Sequence, residues 1–500
     1  MIALAVCWLF LFRASSVTGD LLLRGLGAPV EDDDHWFLAF WTGLLALGAF
    51  VLLAALALPT PYAAAVLLLA LLPRASAPSL APPRAFWAIA AAMTFTSSSP
   101  VRLYDTALYH QPLIEWLSSE GLAPGLGLVH YRFGFTSSWL ALTSMFNVGP
   151  LQDRCSALVT GLAIAVCLAQ WVHLYRRNNF ESTRFYLAAL PPILAFSLLE
   201  SAIVSPSPNT GAALAVLTGI WLLVRSPAHP AAFAVAAGSL AVKLSAAPLA
   251  AVAFFRAPRR VWWAAALIVP FVLANYQTTG CPLFPAALLC SDAPEGLPPQ
   301  QVRAIAHETL NWARYAGFYP PGASYFQLEW LPRYLSLSRN AVMAALTALS
   351  LLALVLQRRF TLPIAAAALG AAYVYAAAPD PRFAAGFLFA LPALALPALP
   401  LPRLSRRALT VTIVLVLTLG AWTGTRLANV TMPDPRNEFT SYRLLVPAEA
   451  WTPDATTTFL RHGSVFHAPV ATDRCGAAPR PCTPYAPLPT LHREGRAWKR

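Results

Sequence analysis

The stretch "RLYDTALYH", from Arg102 to His110, places a base, an acid, two tyrosines and a histidine within nine residues. It follows the apolar run "FWAIAAAMTFTSSSP", which ends in proline. A carboxylate at the edge of an apolar helix could act as a general base, and Asp105 is the candidate for that role. The structural alternative is an N-cap, with residues 105–121 forming an interfacial helix that Pro112 kinks or restarts.

Two further stretches carry charge next to apolar runs. Lys243, in "GSLAVKLSAAPLA", lies between two apolar stretches. A lysine at membrane depth is costly, so it either faces a cavity, where it could bind a lipid-linked phosphate, or snorkels to the interface. In "AAAPDPRFAAG", Asp380 and Arg382 could form a local ion pair that closes a turn. Alternatively, Arg382 contributes to an anion site.

Three other polar stretches indicate structure more than chemistry. Residues 122–139 contain His130 and Arg132, but their irregular glycines favour a turn between helices over a phosphate loop. Residues 205–212, "SPSPNTGA", predict a turn that caps the next helix, with no functional role. The acidic run "EDDDH", 31–35, is better explained as a solvated charge run than as a metal site.

The composition limits the class of protein. Hydrophobic residues make up 57% of the 500 residues and charged residues only 11%, whereas soluble domains carry about 25% charge. The formal net charge of +13 could suggest nucleic acid, but the basic residues lie in short clusters between apolar runs. Such clusters orient membrane helices, so we exclude nucleic acid as a partner. The pattern predicts a multi-spanning membrane protein.

The apolar runs predict an all-α bundle of about 13 to 14 membrane helices, with interfacial helices in the outer loops. The candidate spans are 1–12, 36–58, 60–73, 84–98, 153–174, 185–204, 211–224, 229–242, 246–256, 261–277, 339–356, 361–377, 384–400 and 407–424. The N-terminal segment lacks a basic start and a cleavage site, and therefore indicates a membrane segment rather than a cleaved signal.

The arginine clusters all fall on the same side of the predicted alternation, which the positive-inside rule makes cytoplasmic. Three long segments, 99–152, 278–338 and 425–500, then lie outside. The remaining regions, 1–98, 153–277 and 339–424, carry the membrane helices. We expect the protein in the cytoplasmic membrane of a bacterium, with its large loops and C-terminus outside.

Two pairs of cysteines fall in the outer segments, where disulfides persist. Cys281 and Cys290 form one candidate disulfide, and Cys475 and Cys482 form the other. Spacing alone does not fix the connectivity. The second pair would clip a small C-terminal cap over the outer surface.

The motifs "YDTALYH", "KLSAAP", "APDPRF" and "DRCGAAPRPCTP" resemble a poorly characterised family of bacterial multi-spanning membrane proteins. Its plan is similar to that of the GT-C superfamily of polyprenyl-phosphate-sugar-dependent glycosyltransferases. The resemblance implies that Asp105 deprotonates an acceptor hydroxyl and that His110 orients the acceptor or the phosphate. It also implies that Lys243, Arg382 and Arg102 hold the leaving phosphate. The single acid of "YDT" predicts no metal, and no cofactor is expected. The extra N-terminal helices depart from the usual plan.

The resemblance implies a lipid-linked sugar donor, membrane lipids, and a polysaccharide, lipid or protein acceptor as partners. Two other functions stay open at this point. A transporter or flippase of lipid-linked saccharides would carry inverted repeats and polar residues at mid-membrane, and neither is evident. A non-catalytic assembly protein for envelope polysaccharide would lack an outward cavity that joins Asp105, Lys243 and Arg382.

Overall fold

A computed structural model describes residues 1–29, 33–71, 80–200, 202–256, 261–315, 317, 328–396, 442–484 and 490–500. The predicted span 407–424 and the start of the predicted outer segment 425–500 lie outside these ranges. Within the described residues the chain is mostly helical. The first half contains α1 (Ile2–Gly25), α2 (His35–Ala55), α3 (Thr60–Leu71), α4 (Arg84–Ser97), α5 (Gln111–Ser119), α6 (Leu126–Val129), α7 (Ser138–Ser144), α8 (Leu158–Arg176), α9 (Phe180–Leu199), α10 (Pro208–Arg225) and α11 (Pro230–Val242).

The second half continues with helices and ends in short strands. They are α12 (Ala247–Arg256), α13 (Val261–Thr279), α14 (Pro299–Arg314), α15 (Trp330–Ser336), α16 (Ser338–Leu356), α17 (Leu362–Ala377), α18 (Pro381–Ala395), α19 (Tyr442–Leu445), β1 (Thr456–Arg461), β2 (Ser464–Pro469), β3 (His492–Glu494) and β4 (Ala497–Lys499). Most of the helices begin and end close to the bounds predicted from the apolar runs.

The first helix is longer than predicted. The apolar run suggested a segment over 1–12, but α1 continues through three charged residues, Arg13, Asp20 and Arg24, to Gly25. Asp20 is accommodated because it accepts hydrogen bonds from Arg24, one turn later, and lies 2.7 Å from the ring of His35. Ending the helix at the first charged residue after the apolar run therefore gave the wrong C-terminal end for α1.

Helices α1 and α2 pack closely because each has a glycine at the contact. A Cβ atom on Gly19 would lie 1.8 Å from the carbonyl oxygen of Ala39, and one on Gly43 would lie 1.7 Å from that of Ser15. Small residues at such contacts let helix backbones approach closely in membrane proteins. Substituting either glycine would push the two helices apart.

Four helices are long and apolar enough to cross a membrane among the described residues: α1, α2, α8 and α16. Several other apolar helices are shorter, including α11, α17 and α18. A full crossing takes about 20 residues, so these three fall short of it as continuous helices. The described residues therefore contain four candidate membrane spans, together with shorter apolar helices.

The Asp105 stretch forms a π-helical turn over Thr106–His110 that continues into α5. Pro112 lies in the first turn of α5 and has no N–H, so the carbonyl of Leu108 lacks its α-helical donor. Widened π turns of this kind occur where the i→i+4 pattern is interrupted. Asp105 has helical backbone angles, and its carboxylate makes no capping hydrogen bond. The helix predicted over 105–121 is therefore present and begins after Asp105, but Asp105 does not cap it through its side chain.

The C-terminal segment adds two short β-hairpins to the predicted helical class. Strands β1 and β2 form one antiparallel hairpin, and β3 and β4 form another. The runs "TTTFLR" and "SVFHAP" have only six residues each, which is too short to register as an apolar membrane segment. Hydropathy identifies long apolar helices and therefore does not detect these short strands.

The C-terminal segment packs on the loop that follows α4. The backbone N–H of Gly476 donates to the carbonyl of Ala107 in the π turn, over 2.7 Å, and that of Trp498 donates to Pro124 over 2.8 Å. Arg493 lies over the ring of Trp116 in α5, at 5.8 Å from the centroid. The C-terminal segment therefore contacts the π turn, α5 and the loop that follows α5.

Both expected disulfides are present. Cys281 is bonded to Cys290 in the segment after α13, and Cys475 is bonded to Cys482 beside the first hairpin. The second bond closes the short ring that contains Gly476. The ring therefore holds the donor that contacts the π turn.

Residues 31 and 32 of the acidic run lie outside the described residues, and the described part, 33–35, is not simply solvated. Asp33 is exposed, but the side chain of Asp34 is only 4% exposed. Its carboxylate lies 2.6 Å from Nη1 of Arg225 and accepts a hydrogen bond from Gln170 over 2.7 Å. We name Asp34, Gln170, His173 and Arg225 the Asp34 cluster. It ties the start of α2 to the ends of α8 and α10.

Candidate functional site

Asp105 enters the site from the residue just before the π turn. Its Oδ2 atom accepts a hydrogen bond from Nη1 of Arg382 over 3.2 Å, although 277 positions separate the two residues in sequence. Within the described part of the chain, Arg382 is the hydrogen-bond partner of this carboxylate. The side chains of Asp105 and Arg382 are 16% and 13% exposed.

Arg382 is held at the start of α18. Asp380 accepts a hydrogen bond from the backbone N–H of Arg382 over 3.0 Å and thereby caps the helix. Its other oxygen lies 3.2 Å from Nε of the same arginine. The guanidinium also lies over the ring of Trp312, 4.7 Å from the centroid. The local ion pair expected from "PDPR" is therefore present, and the same arginine also contacts Asp105.

Lys243 lies at the break between α11 and α12. Its backbone is extended, with φ −159° and ψ 134°, which turns the chain between the two short apolar helices. The ammonium group donates to the side-chain oxygen of Asn209 and lies 3.8 Å from the centroid of the Phe383 ring. The turn 205–212, which we expected to have no functional role, thus supplies the partner of the lysine.

Three of the predicted site residues therefore come together. Asp105 and Arg382 are in direct contact, and Lys243 packs on Phe383, the residue after Arg382. We name Asp105, Lys243, Asp380 and Arg382 the Asp105 cluster. Helix α10 links the two named clusters. Asn209 in its first turn contacts Lys243 of the Asp105 cluster, and Arg225 in its last turn belongs to the Asp34 cluster. They lie at opposite ends of a helix of about 27 Å.

A cavity of about 500 Å³ adjoins the Asp105 cluster. It is lined by Glu200, Trp312, Ala313, Leu337, Ser338, Arg339, Asn340, Asp380 and Arg382. The first turns of α16 and α18 both reach it, and α16 has no side-chain cap. Uncapped N–H groups and the positive end of the helix dipole favour an anion at this place.

A second arginine completes the charge pattern of the cavity. Arg339, in the first turn of α16, contacts the carboxylate of Glu200 and lies 3.7 Å from Asp380. Arg339 and Arg382 thus share Asp380 and face one cavity. Phosphate groups commonly bind between arginines arranged in this way.

The electrostatics keep Asp105 ionised and His110 neutral. Burial raises the pKa of Asp105, but the positive charge of Arg382, helped by Arg132 and Lys243, holds that pKa below its usual value. Burial lowers the pKa of His110 to about 3, despite the opposing influence of Asp105. Near neutral pH the site therefore combines a carboxylate with an uncharged imidazole.

His110 and Arg102 occupy less direct positions than expected. His110 is 1% exposed and packs edge-on against Tyr109, 4.3 Å between ring centroids. It supports the site from within the protein rather than from the cavity wall. Arg102 does not line the cavity, whereas its neighbour Leu103 lines a small adjoining pocket next to Arg382.

Several residues of the site were not predicted from the sequence. Arg339 and Glu200 read as ordinary charges at helix ends, and Asn209 as part of a turn. Trp312 belongs to an aromatic stretch that equally suits an interface. The signal that could have found Arg339 is its position at the start of an apolar run, next to Asn340, on the same predicted side as Asp105.

Comparison with known families gives one match. The family described as a domain of unknown function, DUF8201, matches residues 1–389. The chain belongs to the DUF8201 family. The matched residues of this DUF8201 protein include the whole of both named clusters, and the C-terminal hairpins lie beyond them. Neither the curated proteins nor the solved structures contain a match to it.

Proposed function

We propose that this DUF8201 protein is a membrane glycosyltransferase of GT-C-like plan. It transfers a sugar from a polyprenyl-phosphate carrier to an acceptor on the outer face of the cytoplasmic membrane. The observation that carries the proposal is the meeting of Asp105, Lys243 and Arg382 beside a cavity of about 500 Å³. A non-catalytic assembly protein would have no need for this convergence.

In the proposed reaction Asp105 is the general base. The acceptor hydroxyl passes its proton to the Asp105 carboxylate while its oxygen forms a bond to the anomeric carbon. The bond between that carbon and the carrier phosphate breaks, and its electron pair leaves with the phosphate. Arg339, Arg382 and Lys243 stabilise the negative charge that the phosphate gains.

The surroundings of the cavity suit a lipid-linked donor. Leu337 and the first residues of α16 line it, and further along α16 the side chains of Val342, Leu349 and Leu352 are exposed. A polyprenyl chain lying along this apolar face would bring its phosphate to the uncapped start of the helix. A soluble nucleotide sugar would have no use for such a face.

A transport path is less well supported. In α10, which links the two ends, residues from Thr210 to Leu223 are buried, and their neighbours include bulky side chains such as Trp139 against Gly211. Transporters place polar residues near the middle of the membrane, whereas both named clusters lie at helix ends. The transferase remains the function that the geometry favours.

The test uses the full chain in lipid nanodiscs with a panel of radiolabelled monosaccharides linked to polyprenyl phosphate. Polysaccharide, lipid and protein fractions of the cell envelope serve as acceptors. We expect label to move from the carrier to one acceptor fraction with the wild-type chain but not with Asp105→Asn. Asp33→Asn, the same chemical change at an exposed site, is the control and should retain transfer.

Two outcomes would contradict the proposal. Transfer by Asp105→Asn at the wild-type rate would remove the base from the mechanism. Movement of the intact lipid-linked sugar across a proteoliposome membrane, without cleavage from its carrier, would indicate a transporter instead.

A further inference from the structure

Arg382 stands between the cavity and the carboxylate of Asp105. It lines the cavity, whereas Asp105 does not, and its Nη1 atom donates to Oδ2 of Asp105 over 3.2 Å. The proposed base is therefore engaged by an arginine that also faces the place where a phosphate would bind.

The rest of the guanidinium is fixed by groups that need not move. Asp380 holds Nε from the start of α18, and the rings of Trp312 and Phe383 lie 4.7 and 5.0 Å from the guanidinium carbon. These contacts keep the planar group at the cavity wall. The bond to Asp105 is the contact that an incoming anion could replace without displacing the helix cap.

The negative and positive side chains around Arg382 balance each other in number. Asp105, Asp380 and Glu200 contact Arg382 and Arg339, and Lys243 contacts the neutral side chain of Asn209. An anion that enters the cavity must therefore compete with a carboxylate for an arginine. Asp105 is the more exposed of the two carboxylates that Arg382 contacts, at 16% against 5%.

We propose that Arg382 exchanges partners on donor binding: the carrier phosphate takes over its Nη1 atom, and the released Asp105 carboxylate becomes available to the acceptor hydroxyl. This inference rests on the proposed function and names the phosphate of the lipid carrier as the trigger. Arg382 is then a positioning residue for the base as well as a phosphate ligand. Donor binding precedes activation of the acceptor.

The exchange also makes the base stronger. Besides Arg382, the groups that face Asp105 are His110 and Tyr109 in the π turn, Arg132 in the following loop, and Lys243. A phosphate that draws off the charge of Arg382 and Lys243 removes their stabilisation of the carboxylate, so the pKa of Asp105 rises. The base is then strongest when the donor is in place.

The binding test measures farnesyl phosphate, with farnesol as the uncharged control, on the full chain in nanodiscs. Asp105→Asn should bind farnesyl phosphate about three to ten times more tightly than the wild type, because the amide competes less well for the guanidinium. Asp33→Asn should leave the affinity unchanged. In an Arg382→Gln background, Asp105→Asn should give no gain, since the competing pair is already absent.

The transfer assay adds a kinetic readout. The acid limb of kcat at saturating donor should lie at a higher pH than the acid limb of kcat/KM for the donor, because the first reports the donor complex and the second the free enzyme. If Asp105→Asn does not yield folded protein, Asp105→Ser carries the same expectation for binding.

The outcomes separate the two proposals. Wild-type binding of farnesyl phosphate with equal or weaker binding by Asp105→Asn would overturn the exchange and leave the transferase in place. Coincident acid limbs would also overturn the exchange. No binding of farnesyl phosphate by the wild type would overturn the carrier phosphate as a ligand, and with it both proposals.

Discussion

The Asp34 and Asp105 clusters each pair a carboxylate with an arginine, at opposite ends of α10. In the Asp34 cluster both carboxylate oxygens are engaged, one by Arg225 at 2.6 Å and the other by Gln170 at 2.7 Å. In the Asp105 cluster, among the described residues, Arg382 bonds one oxygen at 3.2 Å and the carboxylate retains capacity to accept more.

This comparison distinguishes an acid that stabilises the fold, Asp34, from the acid that we propose as the general base, Asp105. Asp34 is saturated and 4% exposed, and its partners fasten three helices together. Asp105 is 16% exposed, has fewer partners, and its arginine lines a cavity. A saturated buried carboxylate stabilises the fold, whereas an unsaturated one beside a cavity can exchange partners with a ligand.

The largest expected effect separates the clusters by activity. Asp105→Asn should lower kcat for sugar transfer by about 10²- to 10⁴-fold, the range that a general base contributes. The measurement is label transfer per folded molecule, with thermal unfolding run in parallel. If Asp34→Asn lowered kcat by as much, the assignment of separate roles to the two clusters would fail.

The second effect concerns stability. Asp34→Ala should destabilise the folded protein by about 1–3 kcal/mol, because it removes the acceptor of the buried Gln170 amide and the ion-pair partner of Arg225. Denaturant or thermal unfolding in detergent measures the loss, and Asp33→Ala is the exposed control. An unfolding midpoint for Asp34→Ala equal to that of the control would contradict the structural role.

The third effect concerns donor binding. Lys243→Met should raise KM for the lipid-linked donor by about tenfold, the size of one charge-assisted contact. Initial rates over a range of donor concentrations measure it. Arg225→Met, which removes a cation from the other cluster, should leave KM for the donor unchanged in the molecules that remain folded. An equal rise in both variants would point to general destabilisation.

The fourth effect concerns the C-terminal cap. Replacing Cys475 and Cys482 together by serine frees the ring whose Gly476 N–H contacts Ala107 in the π turn. Because one such hydrogen bond contributes about 1 kcal/mol, we expect transfer to fall about fivefold. Replacing Cys281 and Cys290 serves as the matched control, since that disulfide lies in another loop. Unchanged transfer in the first variant would show that the cap does not position Asp105.

The smallest effect is a dependence of stability on pH. The pKa of His110 is lowered to about 3 by burial, while an unfolded histidine has a pKa of about 6.5. Between these values the unfolded chain binds the extra proton, so stability rises with pH over this window and falls on acidification. His110→Gln should reduce the loss of thermal stability between pH 7 and pH 5, and His462→Gln, at an exposed position, should not.

The sequence by itself determined the helical class and most helix positions, because apolar runs report burial of a helix in lipid or protein. It also identified Asp105, Lys243 and Arg382 as candidates, because a charged side chain next to an apolar run is costly and usually has a partner or faces a cavity. It did not determine the end of α1, where Asp20 finds partners in Arg24 and His35. Nor did it reveal the C-terminal strands, which are short and give a weak signal beside long apolar runs.

Only the tertiary structure decided which charges are partners. Asp105 and Arg382 are separated by 277 positions, and no local pattern couples residues that far apart. The structure also divided two similar acids, burying Asp34 among donors and leaving Asp105 beside a cavity. The sequence determines the type of a charged residue and its neighbours along the chain. The packing of the helices determines its hydrogen-bond partners and its exposure. Those partners and that exposure set the pKa and reactivity of the side chain.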